Sequence, residues 1–533
     1  MTTCGELLVG LLEAYGIDTV FGIPGVHTVE LYRGLPDTGL RHITPRHEQG
    51  AGFMADGYAR ACGRPAACFI ITGPGLTNIA TALGQAYADS VPALVISSVN
   101  NSHELGLGEG RLHELPSQRN LMAGLTAFSH TLLRPDELPE VLARAFGVFH
   151  GARPRPVHIE LPLDVITAPA DHVRRQRVAP VARPGPAAGA IAAAAELLRA
   201  ARRPLVVLGG GAQDAAPQAR ALVERLGAPA VTTVNGIGIL PPGHPLCPGS
   251  TLAQPPVLEE LAAADVVLAV GTELGETDTL LFDGRPTLDG RLIRIDIDPE
   301  QLASNALPEV AILSDAGPAL EALAGELDDH EVDKAPAMQR VRTLRERSQG
   351  LLDGRQRLHQ RFVAAVQQAL HGVILVGDST QLVYSANMFY RAEQPRSYFN
   401  SSTGYGTLGY ALPAALGAKL ARPERPVVAL VGDGGLQFTV GELATAVELA
   451  LPLPILLWNN RGYGEIKRYM AERGIPQIGV DIYTPDFLTI ARGFGCRAER
   501  AESLKQLRWL LQQADQEPGP TLIEVDEEEA LAW

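Results

Sequence analysis

Cysteine is scarce in this sequence of 533 residues, and no cysteines have the spacing of a metal-binding or redox motif. The five cysteines are scattered, and no two have the spacing Cys-x-x-Cys. This excludes a disulfide framework and a zinc ribbon, and it is typical of a reducing compartment. Long apolar runs are also missing. The longest, residues 449–458, is interrupted by two prolines and falls well short of the ~20 residues that span a bilayer.

Positive charge is in deficit as well. The chain has 45 Lys and Arg against 60 Asp and Glu, a net charge of −15, and its longest basic cluster is residues 174–177. An acidic chain repels nucleic acid and an anionic membrane surface, so neither is an expected partner. The first ten residues carry no basic segment of the signal-peptide type, and we therefore expect a cytoplasmic protein.

The familiar phosphate-binding and metal-binding patterns are incomplete. No Gly-x-x-x-x-Gly-Lys-Ser/Thr loop occurs, which excludes a P-loop. Gly209–Gly211 follows a predicted strand, but the third glycine of a dinucleotide-binding fingerprint is absent. His42 and His47 lie close in sequence without a third ligand, a pattern that rarely forms a metal site.

Two linker-like stretches divide the chain. Residues 167–190 are rich in proline and alanine, and residues 325–337 are highly charged. They predict three domains, which comprise residues 1–168, 188–328 and 350–533.

Each piece alternates short apolar runs with amphipathic segments, which is typical of βαβ units and predicts an α/β fold of three open parallel sheets. Predicted strands are 67–72, 93–99, 204–208, 265–270, 291–296, 373–376, 427–431 and 454–458; predicted helices are 76–87, 215–226 and 442–451.

The sharpest motif lies in the last piece. The predicted strand 427–431 runs into Gly432-Asp433-Gly434-Gly435, and Asn459-Asn460 follows the next strand. One βαβ turn brings Asp433 and Asn460 to neighbouring strand ends, the edge where open α/β sheets bind ligands. A carboxylate and an amide oxygen are ligands that Mg²⁺ or Ca²⁺ takes, and diphosphate oxygens fill the remaining positions of the ion. A glycine-rich turn with a capping aspartate is the competing interpretation. The sequence therefore predicts a metal–diphosphate site here.

This segment resembles the thiamine-diphosphate and metal motif of the thiamine-dependent decarboxylase and acetolactate synthase superfamily. Five further stretches, spread over nearly the whole chain, resemble other motifs of that family. In chain order they are Gly22-Ile23-Pro24-Gly25, the segment 46–60 (RHEQGAGFMADGYAR), Gly73-Pro74-Gly75-Leu76-Thr77-Asn78, Ile295-Asp296-Ile297-Asp298-Pro299 and the segment 404–415 (GYGTLGYALPAA). The resemblance implies a thiamine-diphosphate enzyme with a pyrimidine-binding domain (1–168), a central domain (188–328) and a diphosphate-binding domain (350–533).

The resemblance also assigns roles at the thiamine ring system. Glu48 matches the glutamate that hydrogen-bonds the pyrimidine ring and favours its imino tautomer. Leu408 matches the apolar wedge that bends the cofactor, and the Gly406 carbonyl would accept a hydrogen bond from the aminopyrimidine. These are the expected cofactor-binding residues of the pyrimidine side, and Glu48 is the first catalytic candidate.

At the diphosphate end, the resemblance implies a Mg²⁺ ion held by Asp433, Asn460 and the Gly462 carbonyl. The diphosphate would be bound by four residues: Gly434, Gly435, Ser379 and Thr380. For the last two, which follow a predicted strand, an ordinary helix cap is the competing interpretation. FAD is doubtful, because the arginine of flavin-binding relatives is replaced around residues 274–276, although the Ile295–Pro299 stretch is retained.

Two histidines are the further catalytic candidates. His27 follows the Gly22–Gly25 loop, and His113 lies where acetolactate synthases tend to carry glutamine. Either could relay a proton near neutral pH, and either could be an ordinary loop histidine. The chain lacks the His-His pair of pyruvate decarboxylases. It also lacks the lysine of a Thr-Lys pair that acetolactate synthases carry near residues 126–128.

Within the superfamily, residues 22–35 and 462–466 resemble the 5-guanidino-2-oxopentanoate (2-ketoarginine) decarboxylases of arginine catabolism. Such a substrate is cationic at its far end, so its pocket should offer a carboxylate. The candidates are Glu465, which lies just past the metal loop, and Glu109 and Glu114, which lie in the segment that matches the family's gate loop. His27 is a further candidate for contact with the substrate. The expected reaction is loss of CO₂ from a 2-oxo acid to leave an aldehyde. The alternatives are acetolactate synthase-type carboligation and a homologue without catalysis.

Assembly follows from the same resemblance. In the family, first and third domains of different subunits meet, so each active site is shared across a two-fold interface. We therefore expect a homodimer or homotetramer with shared active sites.

Overall fold

The structure, a computed structural model, describes residues 1–249, 252–282 and 284–533. Contacts divide the chain into two compact units. Unit 1 comprises Met1–Ala182, Gly404–Arg500 and Gln513–Val525, and unit 2 comprises Arg183–Thr403, Ala501–Gln512 and Asp526–Trp533. The domain boundaries expected from the linkers remain a prediction, since these units are cut on a different criterion.

The N-terminal third forms one all-parallel sheet in unit 1, with strands in the order β2-β1-β3-β4-β6-β5. Its strands are β1 (Thr19–Gly22), β2 (Arg41–Ile43), β3 (Ala67–Ile70), β4 (Leu94–Val99), β5 (Ser129–Thr131) and β6 (Val157–Pro162). Its helices are α1 (Cys4–Ala14), α2 (Val29–Tyr32), α3 (Glu48–Cys62), α4 (Pro74–Ala88), α5 (Gln118–Ala123), α6 (Leu138–Gly151) and α7 (Leu163–Ile166).

The middle third forms a second all-parallel sheet in unit 2, in the order β11-β10-β9-β7-β8. Its strands are β7 (Pro204–Leu208), β8 (Ala230–Thr232), β9 (Val266–Val270), β10 (Arg291–Asp296) and β11 (Val310–Leu313). Its helices are α8 (Ala188–Ala200), α9 (Ala216–Leu226), α10 (Pro255–Ala263), α11 (Glu276–Thr279), α12 (Pro299–Leu302), α13 (Ala316–Glu326) and α14 (Ala335–Gly350).

The C-terminal third carries the strands of the third parallel sheet. In unit 1 the strands lie in the order β14-β15-β17-β16, and in unit 2 β12 pairs with β13. These strands are β12 (Ile374–Gly377), β13 (Tyr398–Asn400), β14 (Val427–Gly432), β15 (Leu453–Asn459), β16 (Arg497–Arg500) and β17 (Pro520–Asp526). The helices are α15 (Gly354–Ala369), α16 (Gln381–Phe389), α17 (Ala411–Ala421), α18 (Asp433–Thr439), α19 (Glu442–Glu448), α20 (Gly464–Glu472), α21 (Phe487–Gly493), α22 (Leu504–Gln516) and α23 (Glu527–Ala530).

The predicted fold class, three open parallel α/β sheets, is confirmed. Strands β14 and β15 are buried along their whole length, as expected for parallel strands covered on both faces. The predicted helix 442–451 ends early, at Glu448, because Ala450 has φ +48° and Pro452 cannot continue a helix. Among the described residues, no helix is long and apolar enough to cross a membrane.

Within unit 1, α17 packs along α3 through glycine. A Cβ at Gly57 would overlap the Ala414 carbonyl, and a Cβ at Gly417 would overlap the Met54 carbonyl. The two helix backbones therefore approach closely, and this contact fixes the C-terminal segment against the helix that begins at Glu48.

Candidate active site

Glu48 is the first residue of α3, and its carboxylate lies beside the first turns of α4. The Asn78 side-chain amide donates to Glu48 Oε2 at 2.9 Å. Gly75 lies on the other side, where a Cβ would be 3.2 Å from Glu48 Oε1. Two sequence motifs that were predicted separately, 46–60 and 73–78, thus meet at one carboxylate, which is held by a neutral donor.

The two candidate histidines are brought together. Their rings are perpendicular, with centroids 5.2 Å apart, and His27 Nδ1 lies 3.1 Å from Thr72 Oγ1. Burial lowers the pKa of His27, the neighbouring His113 lowers it further, and Glu104 opposes both. Gly73, the residue just before α4, packs against the His113 carbonyl, so His113 lies near the start of the helix whose first turns border Glu48.

Gln118 is a residue of this region that the sequence analysis missed. It is buried, its Oε1 accepts from the Gly73 N–H at 3.3 Å, and its Nε2 donates to the Ser98 carbonyl at 2.7 Å. The Ser98 hydroxyl in turn lies 2.9 Å from Thr72 Oγ1. A lone glutamine at a helix start gives no sequence signal for such a role, because the contact joins segments far apart in the chain.

The gate loop folds around its own charges. Glu114 accepts hydrogen bonds from the N–H groups of Gly108 (3.0 Å) and Arg111 (2.9 Å), and these backbone donors hold its pKa below the usual value. The Arg111 guanidinium lies 3.0 Å from Glu109 and 3.2 Å from Glu104. Glu114 therefore binds backbone groups of its own loop, whereas the carboxylates of Glu104 and Glu109 pair with the Arg111 guanidinium.

The predicted metal residues converge at the ends of β14 and β15. Asp433 is the first residue of α18, is buried, and accepts a hydrogen bond at Oδ2 from the Gly462 N–H at 2.8 Å. Burial raises the pKa of the Asp433 carboxyl to about 6, and backbone N–H groups, among them that of Asn460, act against this rise. A buried carboxylate beside the Asn460–Gly462 turn matches the hard oxygen donors of Mg²⁺.

The loop of Gly406 and Leu408 precedes α17. Gly406 has φ +79°, a conformation that glycine adopts without strain, and Leu408 is half-buried. Thr407 Oγ1 donates to Gln85 Oε1 at 2.9 Å, and the Tyr410 hydroxyl donates to Asp56. The loop is thus anchored to the later parts of α3 and α4, away from their first turns.

In unit 2, Ser379 and Thr380 follow β12. Ser379 Oγ lies 2.9 Å from Ser401 Oγ, and its N–H donates to Asp378 Oδ1 at 2.8 Å. Thr380 occupies the N-cap position of α16, but its side chain makes no capping hydrogen bond. The ordinary-cap interpretation therefore does not account for this threonine.

Glu465, the proposed partner of a cationic substrate, is the second residue of α20. Its carboxylate accepts a hydrogen bond from Arg468, one turn later in the same exposed helix. Arg468 also contacts Glu472 at 3.1 Å. A substrate guanidinium would have to compete with this internal one.

The other motifs considered have local structural uses. Gly211 N–H donates to the Gly271 carbonyl at 3.0 Å, and a Cβ at Gly209 would overlap the same carbonyl, so this glycine run serves close packing. His42 Nε2 lies 3.1 Å from the Gly22 carbonyl, and His47 caps α3 by accepting from the Gln49 N–H at 3.1 Å.

Comparison with known proteins assigns the chain to a family. Three thiamine pyrophosphate enzyme domain models match it: the N-terminal TPP binding domain at residues 2–121, the central domain at 191–323 and the C-terminal TPP binding domain at 378–525. The chain belongs to the thiamine pyrophosphate enzymes. The resemblance inferred from the motifs is thereby confirmed, as is thiamine diphosphate as the cofactor of this class.

Full-length relatives narrow the comparison. The chain is 51% identical over 528 residues to the probable 2-ketoarginine decarboxylase AruI of Pseudomonas aeruginosa, which covers 98% of this chain and 94% of that protein. It is 32% identical over 551 residues to a probable acetolactate synthase large subunit of Methanocaldococcus jannaschii (99% and 92%). It is also 32% identical over 540 residues to the acetolactate synthase isozyme 1 large subunit of Escherichia coli (98% and 93%).

Proposed function

We propose that this protein is a thiamine-diphosphate-dependent decarboxylase that converts 5-guanidino-2-oxopentanoate to 4-guanidinobutanal and CO₂, as a cytoplasmic step of arginine catabolism. The observation that carries the proposal is the 51% identity, over nearly all of both chains, to a protein named as a probable 2-ketoarginine decarboxylase. The acetolactate synthases are similar over the same length but share only 32% identity.

The described residues fit the cofactor at its metal end. Asp433 is a buried carboxylate whose pKa is raised by burial, a state that a bound divalent cation would reverse by favouring the charged form. We propose that Asp433, Asn460 and the Gly462 carbonyl hold Mg²⁺. Gly434 and Gly435, at the start of α18, and Ser379 and Thr380 would bind the diphosphate.

Bound thiamine diphosphate supplies a carbon nucleophile and a sink for the electrons released when CO₂ leaves. The protein's task is to orient the cofactor and to manage protons. Glu48 would hold a proton at the pyrimidine ring, and Asn78 fixes the carboxylate for that contact. Leu408 and the Gly406 carbonyl would hold the other side of the ring system.

The His27–His113 pair is suited to proton transfer near the substrate. Burial and the neighbouring His113 lower the pKa of His27, which favours its neutral form at pH 7. We propose the tautomer in which Nδ1–H donates to Thr72 Oγ1, because it leaves Nε2 free to take a proton. His113, with its ring against that of His27, would pass the proton on.

Recognition of the guanidino group requires carboxylates. We propose Glu465 and Glu114 for this role, as the chemistry of the substrate suggests. Arg111 illustrates that chemistry in the gate loop, where Glu104 and Glu109 contact its guanidinium. A charge-assisted pair of this kind gives geometric selectivity as well as affinity.

The anchoring of the Leu408 loop supports a site shared between two copies. Glu48 and Asn78 lie together, but Asp56 is about 12 Å farther along α3, and Gln85 about 10 Å farther along α4. Because Tyr410 and Thr407 bind these distant positions, Leu408 of the same chain is anchored away from Glu48. We propose that a second copy supplies the Leu408 loop that faces Glu48, in a homodimer or homotetramer.

Product analysis tests the function. The purified protein with thiamine diphosphate and Mg²⁺ is incubated separately with 5-guanidino-2-oxopentanoate, uncharged 2-oxohexanoate and pyruvate. We expect equal amounts of CO₂ and aldehyde, with the highest kcat/KM for the guanidino acid. Acetolactate as the main product from pyruvate, with slow turnover of the guanidino acid, would instead favour the carboligase alternative.

A further inference from the structure

The segment that leads into Glu48 is held by a carboxylate from a distant part of the chain. The backbone N–H of Arg46 donates to Glu442 Oε1 at 3.0 Å and to Oε2 at 3.2 Å. The backbone N–H of His47 donates to Glu442 Oε1 at 3.1 Å. Both N–H groups precede α3 and have no acceptor within that helix, so Glu442 provides the acceptor that the backbone itself lacks.

Glu442 is itself fixed in place. Only 1% of the residue is exposed, and Thr445 Oγ1 donates to Oε2 at 2.7 Å. Burial raises the pKa of the Glu442 carboxyl, while the Thr445 hydroxyl and the two backbone donors lower it. A buried carboxylate with all these donors is a rigid acceptor, and it costs free energy to leave its partners unsatisfied.

A glycine in α3 leaves room for the Glu442 carboxylate. Gly50, in the first turn of α3, faces the carboxylate so closely that a Cβ there would overlap Glu442 Oε1. The Arg46 guanidinium pairs with Glu448 near the surface, and it acts on Glu442 only through its charge, which lowers the pKa of that carboxyl. Glu442 therefore acts on the backbone before Glu48, and Gly50 leaves room for it.

We propose that Glu442 is a positioning residue for Glu48: it fixes the backbone of residues 46 and 47, while Asn78 fixes the carboxylate of Glu48. The proposal rests on the proposed role of Glu48 and extends it to a residue that acts through the backbone before Glu48. Loss of the Glu442 contact should lower kcat more than it raises KM, because a misplaced catalytic group still permits substrate binding.

Two independent changes test this in the holoenzyme. Glu442→Gln keeps the shape but replaces one acceptor oxygen by a donor, and Gly50→Ala pushes into the carboxylate without altering it. Each should lower kcat by roughly ten- to a hundredfold with a much smaller change in KM. The double variant should be less impaired than the product of the two effects, since both disturb one contact.

A second readout separates positioning from general damage. Amide hydrogen exchange should accelerate in peptides spanning residues 44–50 of Glu442→Gln while the core strands keep wild-type protection. Glu448→Gln is the matched control: it removes a carboxylate of the same helix that contacts the Arg46 side chain rather than its backbone, and its kcat should equal that of wild type.

The outcomes separate this inference from the proposed function. Wild-type kcat in both Glu442→Gln and Gly50→Ala, with Glu48→Gln inactive, overturns the positioning role alone. Equal loss in Glu448→Gln and Glu442→Gln overturns it too, because the side chain of Arg46 would then be the anchor. Wild-type turnover in Glu48→Gln overturns the proposed role of Glu48 and this inference with it.

Discussion

Asn78 donates its side-chain amide to the Glu48 carboxylate at 2.9 Å, so the first turns of α4 and α3 meet at the proposed catalytic group. The donor is uncharged. The Asn78 amide therefore orients the Glu48 carboxyl. An arginine or lysine at the same place would also strongly stabilise the carboxylate anion, which a neutral amide does not. This suits a carboxylate that has to hold a proton at a ring nitrogen.

Removing that donor should impair turnover without removing the catalytic group. A hydrogen bond to a charged group contributes about 1.5–3 kcal/mol, so Asn78→Leu should lower kcat by roughly ten- to a hundredfold. Steady-state kinetics with saturating thiamine diphosphate measure the effect. Thr77→Val, which removes the neighbouring 2.9 Å hydrogen bond to the Pro74 carbonyl, is the control and should be active. Equal losses in both variants would point to disruption of the α4 start instead.

Glu465→Gln should reduce kcat/KM for 5-guanidino-2-oxopentanoate more than for pyruvate, because only the former carries a distal cation. The helix is partly exposed and Arg468 competes for the carboxylate. We therefore expect kcat/KM for the guanidino substrate to fall by about tenfold more than that for pyruvate, a smaller effect than the loss of a buried ion pair would cause. Arg468→Gln should favour the guanidino substrate. Glu472→Gln, which removes the other carboxylate of Arg468, should leave selectivity unchanged. If both substrates lose equally in Glu465→Gln, substrate recognition lies elsewhere.

Subunit exchange tests the shared site. Glu48→Gln and Asp433→Ala proteins should each be inactive alone. In a mixed dimer one site carries both defects and the other neither, so equal mixing should restore about a quarter of wild-type activity under two-fold symmetry. Exchange is verified by mass-labelled subunits. Absence of recovery after proven exchange would place both residues of each site in one chain, or couple the two sites obligatorily.

The buried His158 should make stability fall in mild acid. It lies between Ser97 Oγ (2.8 Å) and Ser129 Oγ (2.7 Å), and burial lowers its pKa to about 3. Since an unfolded histidine has a pKa of about 6.5, the unfolded chain binds the extra proton below that pH, and stability is lost as pH falls.

Between pH 7 and pH 5, this one group should lower the free energy of unfolding by about 2 kcal/mol. Urea titrations of wild type and His158→Gln at both pH values measure the difference. The variant should lose less stability than wild type over this interval, whereas the exposed His172→Gln should behave like wild type. Identical pH slopes in wild type and His158→Gln would contradict the buried, neutral state.

Local patterns predicted much of the fold. The strands 204–208 and 291–296 are observed with the predicted bounds, because each is an apolar run with clear flanking turns. The family motifs likewise predicted that the residue pairs Asp433 with Gly462 and His27 with His113 belong to one site region, and the structure brings each pair together.

What the sequence did not reveal are contacts between distant segments. Glu442 looks like an ordinary helix glutamate, and nothing local indicates that it binds the backbone of Arg46 and His47. The same holds for Gln118 against Gly73. Glu465 is the converse case, because the sequence predicts that it faces a substrate cation. In the structure its carboxylate already accepts a hydrogen bond from Arg468, one turn later in the same helix. The spacing of the two residues in the sequence allows such a pair but does not show that it forms.

The central claim is a Glu48-dependent decarboxylation, and one measurement tests it most directly. Release of CO₂ and 4-guanidinobutanal from 5-guanidino-2-oxopentanoate is followed for wild type and Glu48→Gln, both loaded with thiamine diphosphate and Mg²⁺. We predict stoichiometric products from wild type and turnover reduced by orders of magnitude in Glu48→Gln, with the cofactor still bound through the Asp433 end. Undiminished product formation by Glu48→Gln, or no aldehyde from the fully loaded wild-type protein, would contradict the account.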